Sequence, residues 1–186
     1  MVTWGVLRLP MAAAGAATAG VGGDGALAAG LSAHLDGALA ITTDASMVGA
    51  LAVIPSHVTR VVELDATLTE DAATIVMLGR LIAAADAASG GPAAVVAARP
   101  MADALKRIEG DVVISGLERD GLMIPCLPFV LDRAALAAAL DDEAAAGDGE
   151  AHDAVALLLA AGHAVVVVPT DGDPMTVRVT ADGTIG

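Results

Sequence analysis

Cysteine and aromatic residues are almost missing from this chain of 186 residues. Cys126 is the only cysteine, so no disulfide can form within the chain, which is typical of a reducing, cytoplasmic setting. Aromatic residues make up 1% of the sequence, although 56% of it is hydrophobic. We therefore expect a single domain over residues 1–186, with a core of Val, Leu, Ile, Met and Ala.

Positive charge is also scarce. Nine Lys and Arg residues stand against 23 Asp and Glu, which gives a formal net charge of −14, and no Lys occurs before Lys106. A chain this acidic repels polyanions. Nucleic acid is therefore excluded as a partner, because phosphate contacts need clustered Lys and Arg.

Long apolar runs are absent as well. The stretch 11–20 is apolar but consists mostly of Ala and Gly, and it is shorter than the roughly 20 residues that cross a membrane. Arg8 is the only early positive charge, and no Leu-rich segment follows it. The sequence therefore predicts neither a membrane span nor a signal peptide.

Short apolar runs alternate with helical patterns along the chain. Thr69 and Asp132 are predicted to cap helices, and Leu27, Leu31, Leu35 and Leu39 are spaced as on one helical face. The order indicates an α/β fold whose mostly parallel sheet is covered by helices on both faces. The predicted strands are 2–9, 50–54, 59–64, 93–97, 112–114 and 164–168, and the predicted helices are 27–39, 69–88, the segment after 132, and 154–161.

One glycine motif and several lone residues could in principle belong to a functional site. The sequence from Gly20 to Gly25 matches G-x-G-x-x-G, with Asp44 at the distance of a ribose contact, as in a dinucleotide-binding oxidoreductase. In a chain with 21 glycines, chance explains the motif better. The four histidines lack the H-x-x-x-H and H-x-H spacings, so they predict no metal centre. Cys126 is predicted to be a buried structural thiol.

Three segments in the second half of the chain carry a family resemblance. They are R-P-M-A-D-A-L-K-R from Arg99, L-E-R-D-G-L-M-I-P-C-L-P from Leu117, and G-D-P-M-T-V-R-V-T from Gly172. In order and spacing they resemble the P-V-T-D-T-(I/V)-K-R, D-R-x-x-L-W-x-x-Q-T-P-Q and G-D-x-x-N-(I/L)-K-(I/V)-T motifs of methylerythritol phosphate cytidylyltransferases. The resemblance spans Asp65 to Thr180. It implies a three-layer, Rossmann-like sheet of the nucleotide-diphospho-sugar transferase type, with a β-arm.

The resemblance also implies a set of site residues. Asp65 falls on the family's H-D-A-A-R-P motif, where the Asp helps hold Mg²⁺ and nucleotide; the alternative is a loop Asp that caps the next segment. Lys106, Arg119 and Arg178 would complete a charged catalytic set with Asp65, although in so acidic a chain a surface ion pair explains Arg119 and Arg178 slightly better. The remaining implied nucleotide-binding positions are Gly15, Gly20, Asp103 and Thr180.

Several polar residues of the family pattern are replaced here. In the glycine loop the second glycine falls on Ala17 and the arginine on Ala19, and the lysine position falls near Gly25. The Thr of V-T-D-T falls on Ala102. We therefore expect a non-catalytic relative that acts through protein–protein interaction and needs no cofactor. The alternative is an active enzyme that transfers CMP from CTP, with Mg²⁺, to a sugar- or polyol-phosphate such as 2-C-methyl-D-erythritol 4-phosphate.

The segment 99–128 is expected to be a dimerisation arm. In the resembled family this segment reaches across to a second subunit. Val112, Val113 and Ile114 are apolar in succession, so an extended arm would need cover on both faces. A symmetric partner supplies such cover, and a homodimer is therefore expected.

Overall fold

The computed structural model describes residues 1–9, 31, 33–42, 47–65, 71–101, 105–109, 111–117, 122–146, 153–170 and 175–177. Nine strands and four helices lie in these ranges. The strands are β1 (Thr3–Leu9), β2 (Gly37–Thr42), β3 (Arg60–Asp65), β4 (Ala94–Pro100), β5 (Leu105–Glu109), β6 (Val112–Leu117), β7 (Met123–Asp132), β8 (Val165–Pro169) and β9 (Met175–Val177). The helices are α1 (Met47–Val53), α2 (Ala72–Ala87), α3 (Arg133–Ala146) and α4 (Ala154–Ala160).

Seven of these strands form one sheet in the order β2-β1-β3-β7-β4-β8-β9. Strands β1, β2, β3, β4 and β8 run in the same direction, whereas β7 and β9 run the opposite way. The predicted α/β class is confirmed, but the prediction of a mostly parallel sheet holds only in part. Strand β7 lies between β3 and β4 and pairs antiparallel with both, because the chain returns through it after the hairpin that follows β4.

Each face of the sheet has its own apolar core. On the first face, Val61, Val96 and Val167 of the strands pack with Leu51 of α1 and Leu136 of α3. On the second face, the neighbouring positions Val62, Val95 and Val166 pack with Leu78 and Leu81 of α2. Successive strand residues point to opposite faces, so nearly continuous Val runs supply both cores. The result is three layers, with the sheet in the middle.

Helix α2 has its N-cap two residues later than the sequence pattern predicts. Asp71, rather than Thr69, is its N-cap, and the Asp71 carboxylate accepts a hydrogen bond from the backbone N–H of Thr74 at 2.7 Å. Thr69 lies outside the described residues. The helix ends at Ala87, close to the predicted position, and is followed by Gly90 and Gly91, both at positive φ. Asp132 caps α3 as predicted, since it accepts from the backbone N–H of Ala135 at 2.8 Å.

One other predicted element is wrong in type, and a predicted helix extends too far. The segment 50–54 was expected to be a strand, but α1 covers Met47–Val53. Ala50, Leu51 and Ile54 are buried while Val53 is 63% exposed, which is a helical pattern that short apolar runs conceal. The helix predicted to reach Leu39 ends earlier, since Leu39 lies in β2.

Contacts between distant residues explain why the predicted helix does not reach Leu39. The backbone N–H of Thr3 donates to the Asp36 carboxylate at 2.8 Å, and the N–H of Asp36 donates to the Thr3 carbonyl at 2.8 Å. These bonds fix residue 36 at the start of β1. The chain then pairs with β1 from Gly37 onwards, so sheet pairing overrides the four-residue Leu spacing.

Strands β5 and β6 form a separate two-stranded antiparallel sheet. This hairpin lies within the segment 99–128, whose two ends belong to the main sheet: Pro100 of β4 pairs with Met123 of β7. Val112, Val113 and Ile114 are 65%, 52% and 49% exposed. The pairing skips Ile114, because Arg107 pairs with Ser115 and Ile108 pairs with Val113. Apolar side chains therefore remain uncovered along β6.

In the described part of the chain, no helix is both long enough and apolar enough to cross a membrane.

Candidate functional site at the carboxyl edge of the sheet

The carboxyl ends of the five co-directional strands meet at one edge of the sheet. These ends are Leu9, Thr42, Asp65, Pro100 and Pro169. In open α/β sheets, ligands bind outside the carboxyl ends of the strands, since the loops that follow can surround a ligand there. We call this edge the carboxyl edge, and it is where a functional site is expected.

Asp65 is half-buried and ends β3 at this edge, as the sequence predicted. Its neighbour in register on β1 is Arg8, so a basic and an acidic residue come to the same edge from adjacent strands. Glu63 lies two residues earlier on the same face of β3 and is only 6% exposed. The sequence analysis overlooked Glu63, although a charged residue inside an apolar strand was the signal for it.

Two arginines at the carboxyl edge also escaped the sequence analysis. Arg80 of α2 donates to the backbone carbonyls of Thr170 at 3.3 Å and of Pro169 at 3.5 Å, at the end of β8. Arg99 is exposed near the end of β4. Arg80 lies in no motif, and Arg99 opens the first family segment without a role being assigned to it. The packing of α2 beside β8 brings Arg80 to this edge.

Lys106 lies apart from Asp65 in the fold. It is in β5 and pairs in register with Gly116 of β6, so it belongs to the hairpin rather than to the main sheet. The charged set of Asp65, Lys106, Arg119 and Arg178 therefore stays a prediction.

The other predicted site residues cannot be placed. Strand β9 ends at Val177 beside Val165, at the amino end of β8, so this strand leads away from the carboxyl edge. Arg178 is the next residue in sequence. The predicted positions outside the described residues are Arg119, Arg178, Gly15, Gly20, Asp103 and Thr180.

The described residues do not by themselves form a metal site. Mg²⁺ takes about six oxygen ligands and usually keeps several waters besides one or two carboxylates. No group of three or more His, Cys, Asp or Glu side chains in the described ranges has an arrangement suited to a metal ion. Asp65 alone therefore does not fit a resident Mg²⁺.

Cys126 is half-buried in β7, and its Sγ lies 3.4 Å from the Ile124 carbonyl. The sequence predicted a buried structural thiol, and the structure shows one that is only partly covered. It forms part of an irregular stretch, because the pairing with β4 passes from Phe129 to Cys126 and skips two residues.

Comparison with known proteins agrees with this topology. The sequence model of the family described as IspD, 2-C-methyl-D-erythritol 4-phosphate cytidylyltransferase, matches residues 42–185. The match covers well over half of the chain. This protein belongs to the IspD family. The resemblance inferred from the three motifs is thereby confirmed, and the match starts after the segment that contains Gly15 and Gly20.

Solved structures of IspD proteins share the fold. The Francisella tularensis 2-C-methyl-D-erythritol 4-phosphate cytidylyltransferase is 14% identical with a TM-score of 0.61, and the alignment covers 98% of this chain and 95% of that one. The Thermus thermophilus enzyme is 22% identical with a TM-score of 0.55, over 80% of this chain and 66% of that one. The Anaerococcus prevotii 4-diphosphocytidyl-2C-methyl-D-erythritol synthase is 19% identical with a TM-score of 0.57, over 74% and 63%.

This chain thus spans just under two thirds of the Thermus and Anaerococcus proteins. At these identities the likeness establishes the Rossmann-like IspD fold. The search of curated proteins found no match.

Proposed function

We propose that this IspD-family protein does not transfer CMP and instead acts by binding protein through its β5–β6 hairpin. The first support comes from the sequence before β2. The positions where the family's phosphate-binding residues are expected hold Ala17, Ala19 and Gly25, and the family match begins only at residue 42. No Lys precedes Lys106.

The loss of these phosphate-binding groups should lower the rate of nucleotidyl transfer strongly. Nucleotidyl transfer depends on positioning the phosphates and stabilising their charge, with little covalent chemistry left to the protein. Each charge-assisted hydrogen bond contributes about 1.5–3 kcal/mol, so the loss of three lowers the rate by several powers of ten. A net charge of −14 further disfavours an anionic nucleotide.

The exposed apolar run of β6 is the main support for the proposal that the hairpin binds protein. Val112, Val113 and Ile114 are each about half exposed or more, in a hairpin outside the main sheet. A two-stranded hairpin with apolar side chains in water is only marginally stable by itself. A second copy of this chain, with the same hairpin related by twofold symmetry, covers such a surface. We propose a homodimer through the segment 99–128, burying at least ~1,200 Å² in total.

Calorimetric titration with CTP and Mg²⁺ tests the non-catalytic assignment. We expect binding no tighter than millimolar, because the phosphate ligands are replaced. An active IspD enzyme titrated in parallel is the control. Micromolar binding by this chain would rule the assignment out.

Static light scattering tests the homodimer. We expect a mass of twice 18.1 kDa at micromolar concentration. A mass equal to that of the single chain would show that the hairpin is not covered by a second copy.

A second function, active cytidylyl transfer with a rebuilt pocket, is favoured by the position of Asp65 at the carboxyl edge. If CMP transfer from CTP to 2-C-methyl-D-erythritol 4-phosphate is detected, Asp65→Ala should abolish it. Turnover that survives this substitution would remove Asp65 from the site. Only the G-x-G-x-x-G motif at Gly20 to Gly25 favours a dinucleotide-binding oxidoreductase. The family match favours the cytidylyltransferase fold instead.

A further inference from the structure

A cavity opens at the amino edge of the sheet, where β3 and β4 begin, opposite the carboxyl edge. Its volume is about 90 Å³. Ala85 of α2, Val95 of β4 and Val130 of β7 form an apolar wall, and Gly91 and Pro92 of the turn before β4 line it as well. The three apolar residues belong to the second core, so the cavity lies on that face of the sheet, near the end of α2.

Two oppositely charged residues line this cavity without forming an ion pair. Arg60 begins β3 and Asp132 ends β7, and the two are directly opposite each other in the antiparallel pairing. Cross-strand partners have their side chains on the same face. The Arg60 guanidinium nevertheless pairs with Asp86 of α2 at 2.7 Å, and no ion pair joins it to Asp132 within the described ranges. The cavity is therefore flanked by two separate charges.

Both charged groups keep hydrogen-bonding capacity. The Arg60 side chain is 14% exposed, and in the described part of the chain it donates only to Asp86, through one Nη. A guanidinium has five N–H donors, so most of them stay available. The Oδ1 of Asp132 accepts from the Ala135 backbone N–H at 2.8 Å, and no described group donates to its Oδ2. A mostly buried cation and a carboxylate oxygen are thus both open to a ligand.

The charges around the cavity favour a zwitterion over a simple ion. Asp86 and Asp132 repel an anion, and the net charge of −14 adds to this repulsion, whereas Arg60 repels a cation. A zwitterion can place its carboxylate against the Arg60 guanidinium and its ammonium group against Asp132. Both ends then form charge-assisted hydrogen bonds, which are the stronger kind.

The size and the apolar wall of the cavity limit the ligand further. About 10–15 Å³ of such volume holds one water-sized sphere, so a cavity of about 90 Å³ takes roughly six to nine non-hydrogen atoms. An α-amino acid with a short apolar side chain is of this size. Its side chain can pack against Ala85, Val95 and Val130 while its two charges meet Arg60 and Asp132.

We propose that this cavity at the amino edge binds a small apolar α-amino acid such as L-valine. The proposal is independent of the proposed loss of CMP transfer and of the homodimer, because the cavity lies at the edge opposite Asp65 and contains no residue of the β5–β6 hairpin.

Titration of the ¹⁵N-labelled protein with L-valine, followed by nuclear magnetic resonance, tests the proposal. We expect a Kd of about 0.5–10 mM, because few groups contact the ligand and solvent screens them in part. The amide signals of Ala85, Gly91 and Asp132 should shift most. Isovalerate lacks the ammonium group and isobutylamine lacks the carboxylate, so each should bind at least about fivefold more weakly than L-valine.

Asp132→Asn should weaken L-valine binding by at least about fivefold, because it removes the charge while asparagine still caps α3. Asp153→Asn is the matched control. Asp153 caps α4 by the same kind of bond, from the Ala156 N–H at 2.8 Å, and does not line the cavity. We expect this control to change the affinity by less than about twofold.

Arg60→Gln should also weaken binding by at least about fivefold, and Arg99→Gln at the carboxyl edge is the control for its change of charge. Equal weakening by a cavity variant and its control would mean that only net charge matters and would overturn the proposal. Isobutylamine binding as tightly as L-valine would overturn it too, as would the absence of shifts at the cavity with about 50 mM L-valine.

Discussion

At the residue scale, Asp71 shows how one carboxylate fixes a helix start. Its Oδ2 accepts from the backbone N–H of Thr74 at 2.7 Å and from the Thr74 hydroxyl at 2.8 Å. Both hydrogen bonds lower the pKa of Asp71 below its ordinary value of 3.8. The hydrogen bond from the Thr74 hydroxyl contributes most, and the one from the Thr74 backbone N–H comes next. The charged form is therefore favoured in the folded state.

This shift predicts a pH dependence of stability. Because the folded pKa lies below the unfolded one, the contribution of Asp71 is fully present above pH 3.8 and is lost as the pH falls through the lowered value. We expect the difference in unfolding free energy between the unaltered protein and Asp71→Asn to shrink over this acidic range. Urea denaturation at a series of pH values measures it. A difference that stays constant across the range would contradict the assignment.

The candidate site was only partly predictable from single residues. Asp65 could be placed because a strand pattern ends at it, and a strand end is a local property of the sequence. Arg80 could not be connected with the end of β8 in the same way, because the carbonyls to which it donates belong to Pro169 and Thr170, far along the chain. This contact depends on how α2 packs against β8, which no local pattern encodes.

At the scale of elements, the β5–β6 hairpin carries the exposed apolar run on which the proposed homodimer rests. Val113 is 52% exposed and pairs with Ile108 across the hairpin. A charge at this position should break the proposed dimer, because burying an unpaired carboxylate in an apolar interface is unfavourable. We expect Val113→Asp to shift the light-scattering mass from the dimer to the single chain.

Val53→Asp is the matched control for this change. Val53 ends α1, is 63% exposed and lies far from the hairpin in sequence. Val53→Asp adds the same charge as Val113→Asp but should leave the light-scattering mass unchanged. If both variants dissociate, general charge repulsion is responsible; if neither does, the hairpin is not the contact.

Elements differ in how well their type could be predicted. The strands at 2–9, 59–64 and 164–168 were predictable, because each is a short, β-branched run with a clear boundary. The segment 50–54 has a similar composition but forms α1, since its buried residues follow helical spacing. Strand β7 was not predicted at all, because Pro125, Cys126 and Pro128 interrupt its apolar pattern.

At the scale of the whole molecule, one sheet connects two separate cores. Leu78 lies in α2 on the second face and Leu136 lies in α3 on the first, and both are fully buried. Leu78→Ala and Leu136→Ala should each lower the free energy of unfolding by about 2–5 kcal/mol through lost burial and a cavity. Since they lie on opposite faces of a shared sheet, both should shift one cooperative transition.

Urea denaturation followed by circular dichroism checks this expectation. Val76→Ala serves as the control within α2, because Val76 is 65% exposed and its replacement should change stability by less than about 0.5 kcal/mol. Two resolved transitions, each sensitive to only one of the Leu variants, would show that the two faces unfold independently.

The sequence alone determined the class of fold and the family. Alternating strand and helix patterns depend on neighbouring residues, and the three family motifs are local strings, so both are readable without coordinates. Tertiary structure alone decided that β7 enters antiparallel between β3 and β4, that β2 replaces the end of a predicted helix, and that Arg80 lies at the end of β8. Each of these depends on pairing or packing between residues distant in the chain, whose free energy outweighs local preference.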